Sequence, residues 1–155
     1  MDIKSGSSYP ASALSNFAPH KFTFRGVECA SMEGFLQSLK FKNPDMQKEV
    51  CKLVGRQAKS KGANKDWKTT QTLWWNGEAI KRDSQAYQDL LDEAYEAMSR
   101  DSESFRKALL ASQNAVLTHS IGKSKKNDTV LTVSEFCSRL TRIRRTLQRE
   151  NLGVV

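Results

Sequence analysis

Three residues have types and spacing suited to chemistry: Glu33, Gln37 and Lys40, set four and then three positions apart. On a helix, at about 100° per residue, their directions fall within a sector of roughly 60° beside an apolar stripe of Met32, Phe35, Leu36 and Leu39. A carboxylate and an amine at the rim of a core, with an amide between them, can exchange a proton and share a substrate. The same spacing also suits a solvated helix flank, with the Lys40 stem lying along the core and its ammonium in water. The rest of the chain has to decide between the two.

The elements that would position this stripe follow from local signals. Ser31 is a suitable N-cap, and the apolar period behind it predicts a helix from about 32 to 41. Asn43-Pro44 opens a second helix carrying Met46, Val50 and Leu53 as far as Gly55. A short third helix is expected over 55 to 61, ended by Gly62, and a fourth around Trp67 to Trp75. Upstream, Phe22 to Cys29 alternates around Gly26 as a short hairpin. Downstream, Tyr87, Leu90, Leu91, Ala94, Tyr95 and Met98 define a long helix from near Asp83. Another spans Ser102 to Ala111, and 121 to 128 reads as a polar, Lys-rich loop. Thr129 to Leu131 is expected as a short strand. Thr132-x-x-Glu135 is a capping box opening a last helix, 133 to 149, whose apolar face is Val133, Phe136, Leu140, Ile143 and Leu147. The expected fold is α+β: a mainly α-helical single domain over 1–155, core about 14–148, with a small β-hairpin or minor sheet.

Composition narrows the class. The chain has 155 residues and a formal charge of +8. Nine Lys or Arg between 40 and 68 face only Asp45, Glu49 and Asp66, whereas 78 to 103 is dominated by Asp and Glu. One cationic and one anionic face are expected, and the cationic one suits a phosphate-bearing partner. No stretch approaches the roughly 20 apolar residues of a membrane span. The first residues lack the basic start and apolar middle of a secretory signal. Cys29, Cys51 and Cys137 are scattered and expected to be reduced, and with only His20 and His119 beside them no metal site or cofactor is expected. A cytoplasmic protein without membrane association is the expectation.

Leu14-Ser15-Asn16-Phe17, then Gly26, then Ser31-Met32-Glu33 with Gln37 and Lys40, resembles the opening signature of the NADAR/YbiA-like family: an S-N-F turn followed by a T-x-E-H-x-x-Q-x-x-K helix. Gly55-Arg56-Gln57-Ala58 is similar to the family's G-R-x-A segment and Asp66-Trp67 to its D-W. Leu117-Thr118-His119 resembles its L-T-H, and the closing helix with Arg142 or Arg145 its last motif. The resemblance covers about residues 14 to 147. Two departures stand out. Gly34 replaces the histidine after the glutamate, which is expected to alter one wall of the pocket, and a Trp-Gly pair has no counterpart in 121 to 128.

The resemblance implies an N-glycosidase that cleaves a base or amine from C1 of a phosphorylated ribose, with Glu33 as proton donor and Lys40 attacking C1 or stabilising charge there. Arg56, supported by Lys59, would clamp phosphate. Ser15, Asn16 and Phe17, in the turn beside the helix start, are expected to contact the substrate, as is Gln37, which would also orient the pair. Trp67 suits stacking on a base as well as it suits core packing, and His119 is a second-tier candidate for substrate contact. The expected partner is a ribose-phosphate or an ADP-ribose-bearing substrate. ADP-ribose on guanine within a nucleic acid is favoured by the charge, and ribosylated riboflavin-pathway intermediates are the alternative. A non-catalytic module binding nucleic acid or ADP-ribose is the competing reading. It explains the charge without using the Glu33–Gln37–Lys40 stripe.

Overall fold

The computed structural model describes residues 1–153. Along these residues run α1 (Ala11–Leu14), β1 (Phe22–Phe24), β2 (Val27–Cys29), α2 (Met32–Ser38), α3 (Pro44–Cys51), α4 (Gly55–Ala63), β3 (Thr72–Trp75), β4 (Glu78–Lys81), α5 (Gln85–Asp101), α6 (Glu103–Ala111) and α7 (Val133–Asn151), with a 3₁₀ turn at Lys126–Asp128. The mainly helical α+β architecture matches the expectation from patterning.

Helix starts are set by side-chain caps. Ser31, Asn43, Ser84, Ser102 and Thr132 each accept a hydrogen bond from the backbone N–H three residues on, satisfying donors that the helix itself leaves unpaired. At Thr132 the box is complete, since Glu135 accepts in return from the Thr132 N–H at 2.8 Å.

Each strand pair is an antiparallel hairpin closed by two residues. Arg25-Gly26 has φ of 47° and 81°, and Asn76-Gly77 has 50° and 83°. Two consecutive left-handed residues make a type I′ turn, whose twist matches that of the flanking strands. The second hairpin corrects the expected helix over 67 to 75. Leu73 and Trp75 point into the core while Thr72 and Trp74 lie half-buried, the two-residue period of a strand.

Helix α2 stops at Ser38, short of the expected 41. Beyond it the chain tightens, with Lys40 N–H donating to Gln37 at 3.1 Å. The freed carbonyls are taken by neighbours: Gln47 Nε2 donates to Ser38 O at 3.0 Å and Trp74 N–H to Leu39 O at 2.8 Å. Gly62, expected to end α4, lies inside it. The amide of Gln37 fills the space a Cβ would need there. Thr129 to Leu131 forms no strand. Side chains satisfy its backbone instead, with Arg82 Nε donating to Thr129 O at 2.9 Å and the Tyr87 hydroxyl to Val130 O.

The core joins two groups of elements. In one, the rings of Phe22, Phe24, Phe35 and Trp75 meet edge-on or tilted, with centroids 4.8 to 6.0 Å apart, fixing both β1 and β3 against α2. In the other, α5, α6 and α7 pack through Leu91, Tyr95, Phe105, Phe136 and Leu140, all buried. A charged pair stands within the second group. Arg82, with 0% of its side chain exposed, grips Glu135 through two hydrogen bonds of 2.6 and 3.1 Å and lies over the Tyr87 ring.

Candidate functional site

A cleft of about 490 Å³ opens between α2 and α4 on one side and residues 119–131 on the other, with Phe136 of α7 also lining it. Its first wall is built from the start of α2. The Glu33 N–H donates to Asn16 O at 3.0 Å, and the Asn16 side chain accepts from the buried Tyr95 hydroxyl at 2.8 Å. The turn before β1 is thereby tied both to α2 and to α5. One helical turn on, Gln37 Nε2 donates to Glu33 Oε2 at 2.7 Å. The other amide atom, Oε1, is buried against Gly62 without a hydrogen-bond partner. A Cβ on Gly62 would sit 1.9 Å from it, so glycine is required for Gln37 to reach this position.

The two ionisable members of the stripe are biased in opposite directions. Burial pushes the Glu33 carboxyl above its ordinary range, against the opposing pull of the Gln37 hydrogen bond and of Lys59, Lys40 and His119. Burial pushes the Lys40 ammonium down. Glu33 opposes that shift, and Lys68, Lys123 and Lys59 reinforce it. Lys40 Nζ donates to Gly62 O at 3.4 Å. Among the described residues no ion pair joins Lys40 to Glu33. An acid inclined to keep its proton and an amine inclined to lose one therefore share one cavity.

Electrostatics favour an anion. Lys40, Lys59, Lys65, Lys68 and Lys123 line the cleft against Glu33, Asp66 and Asp128. Asp66 is occupied, accepting from Thr69 N–H at 3.2 Å and from its hydroxyl at 2.7 Å. None of the five lysines is ion-paired among the described residues. On other faces Arg25 is paired with Glu93, Lys52 with Glu49, Lys107 with Glu103 and Arg142 with Asp92.

Of the residues singled out by sequence, Asn16, Glu33, Gln37, Lys40, Lys59, Trp67 and His119 line the cleft, while Ser15, Phe17 and Arg56 do not. Ser15 Oγ accepts from Phe17 N–H at 3.2 Å, and Phe17 packs beside Gly55 at the start of α4. These two shape the turn. Arg56 is exposed on α4, a turn before Lys59 and outside the lining. Trp67 is only 5% exposed and belongs to the core while also lining the cleft. Gly34 does not face the cleft. A Cβ there would meet Leu53 O at 2.4 Å, so the position packs α2 onto the link between α3 and α4 and leaves the pocket wall unchanged. Lys65, Lys68 and Lys123 also line the cleft, the first two from the basic 40–68 stretch and the third from the Lys-rich loop. Only their charge density signalled them.

Among the described residues no group of three His, Cys, Asp or Glu converges as a metal site, and no helix is long and apolar enough to cross a membrane.

The arrangement of helices and hairpins is that of a known fold. The solution structure of the Escherichia coli protein YbiA superposes with a TM-score of 0.64 at 18% identity, covering 98% of this chain and 86% of that one. At that identity the likeness speaks for the fold alone. The family model of Bacteriophage protein GP30.3 matches residues 8–145. A 17.1 kDa protein of the Gp30–rIII intergenic region of Enterobacteria phage T4, itself uncharacterised, is 37% identical over 151 residues, 95% of this chain and 98% of the relative. The chain belongs to the Bacteriophage protein GP30.3 family.

Proposed function

We propose that the protein is an N-glycosidase acting on a base or amine joined to C1 of a phosphorylated ribose, with ADP-ribose on guanine as the favoured substrate. One observation carries the reading: Glu33 and Lys40 line a single cleft whose five lysines have no carboxylate partner among the described residues. A site that only bound phosphate would gain nothing from a buried carboxyl, whereas an acid that holds its proton has work to do at a leaving group.

In the proposed reaction the lysines hold the phosphates and Trp67 contacts base or sugar. Glu33 passes its proton to the departing nitrogen or to the ring oxygen. The C1–N bond breaks with its electron pair going to nitrogen, and water supplies the oxygen that replaces it at C1. Lys40 can act in two ways. As a free amine it adds to C1 of the opened sugar, forming a Schiff base that water later cleaves; as an ammonium it opposes charge on sugar oxygens.

The test is release of ADP-ribose from a guanine-ADP-ribosylated oligonucleotide, with small phosphorylated N-ribosides in parallel. Turnover that drops at least about 10²-fold in both Glu33→Gln and Lys40→Met supports the reading. Tight binding of ADP-ribose without turnover of any substrate identifies a binding module instead.

A further inference from the structure

His119 lines the same cleft, and three neighbours fix its ring. Its Nδ1 lies 2.7 Å from the carbonyl of Ile3, which can only accept, so Nδ1 carries the proton. The other nitrogen, Nε2, then holds a lone pair in the neutral ring. The ring edge packs against Phe136 at 5.3 Å between centroids. Gly122 packs beside the ring, where an added Cβ would stand 2.6 Å from His119 Cδ2.

The segment that supplies the Ile3 carbonyl is itself tied down. Ile3 N–H donates to Thr118 O at 2.8 Å, and Thr118 N–H donates to Met1 O at 2.9 Å, a parallel bridge around Asp2. The Asp2 carboxylate accepts from Ser120 N–H at 2.7 Å, from the Ser120 hydroxyl at 2.5 Å and from the Thr118 hydroxyl at 3.1 Å. Thus Asp2 clamps the residues on both sides of His119, and Ile3, fully buried, holds its tautomer. Satisfying a structural histidine does not require this much. A fixed Nδ1–H bond to a carbonyl, with no hydrogen bond to Nε2 among the described residues and Glu33 in the same cleft lining and within reach of the ring's charge, is the arrangement a general base needs.

We infer that His119 is the general base of the site and that Asp2 and Ile3 are its positioning residues. The inference rests on the glycosidase reading above. Nε2 takes a proton from the water that bonds to C1, whether C1 is leaving the base directly or is held as a Schiff base on Lys40. The water's oxygen forms the new C1–O bond. Glu33 has given its proton to the leaving nitrogen, and the imidazolium later returns one to the Glu33 carboxylate, so both groups are restored.

Two measurements test this on the full chain. Nitrogen-15 NMR of the neutral imidazole reads the tautomer directly, and the expected state is Nδ1–H rather than the Nε2–H form favoured by free histidine. Kinetics on the guanine-ADP-ribosylated oligonucleotide and on small N-ribosides are expected to show His119→Gln lowering kcat about 10²-fold or more with little change in KM. Asp2→Ala is expected to give mixed tautomer signals and a roughly 10-fold smaller kcat, with KM again kept. Thermal melts identify any variant that has merely unfolded. An Nε2–H tautomer in the folded protein, or unchanged kcat in folded His119→Gln on a substrate the wild type turns over, overturns the assignment and leaves the glycosidase standing. Absence of wild-type turnover on every substrate overturns both.

Discussion

Burial favours the neutral form of Glu33 in the folded chain, so at pH 7, where the carboxyl of the unfolded chain is ionised, the group counts against folding. The sign is that of a carboxyl raised on folding: its penalty is absent below the unfolded value and grows as pH rises through the folded one. Glu33→Gln removes the penalty and keeps an oxygen for the Gln37 donor. The variant is therefore expected to be more stable by about 1 kcal/mol at pH 7 while losing activity, the usual exchange at a functional site. Melting curves at pH 7 and pH 4 check it. The gain should shrink at the lower pH, and an equal gain at both would show that desolvation of the charge is not its cause. Lys40 carries the opposite bias, so Lys40→Met is expected to stabilise as well, with the gain fading at alkaline pH as the wild-type amine becomes neutral in both states.

At the scale of elements, the cleft depends on two fixtures outside it. Gly62 lets α4 approach α2 closely enough for Gln37 to be wedged between them. Gly62→Ala is expected to cost about 1–3 kcal/mol through overpacking, and to lower kcat because Gln37 can no longer hold Glu33. The second fixture is the Arg82–Glu135 pair, which anchors Thr129 and the start of α7 behind the opposite wall. Burial alone would raise the Glu135 carboxyl, but Arg82, Gln88 and the Thr132 N–H outweigh it and hold the group down to about 2. Its contribution is present above the ordinary carboxyl value of 4.5 and fades as pH falls toward 2. Glu135→Ala is expected to destabilise by about 3–5 kcal/mol and to flatten acid unfolding across that window.

These fixtures also mark how far local sequence reaches. The Glu33–Gln37–Lys40 stripe, the capping box and the long α5 are legible because the helical period and the caps are local. The β3–β4 hairpin had its signal in Asn76-Gly77, yet the tryptophans before it read as a helix because an aromatic run fits either period. Thr129 to Leu131 looks like a strand by composition but has no strand to pair with, and its hydrogen bonds come from residues over 40 positions away. Convergence of Lys65, Lys68 and Lys123 on one cavity is likewise tertiary, as is the bond from Ile3 to His119.

For the whole molecule, the separation of charge matters more than its sum. The five cleft lysines have no ion-pair partner among the described residues, whereas nine of the other twenty Lys and Arg, Arg25, Lys52 and Lys107 among them, do carry one. Anionic ligands are therefore expected to arrive at the cleft side, with affinity that falls as salt is raised. If the ligand is a polynucleotide, Lys68→Gln and Lys123→Gln should each reduce the slope of log affinity against log salt by about 1. Fluorescence titration across a salt series measures it. Slopes unchanged by either substitution would place the polyanion on another face.

Gly34 has a consequence for descent. A Cβ added there would stand 2.4 Å from the Leu53 carbonyl oxygen, with those of Val50 and Cys51 at 3.1 and 3.2 Å. No side chain can enter position 34 while that loop stays where it is. A chain of this kind could exchange the glycine for the histidine of the resembling pattern only after the α3–α4 link had drawn back, so the two changes have a forced order.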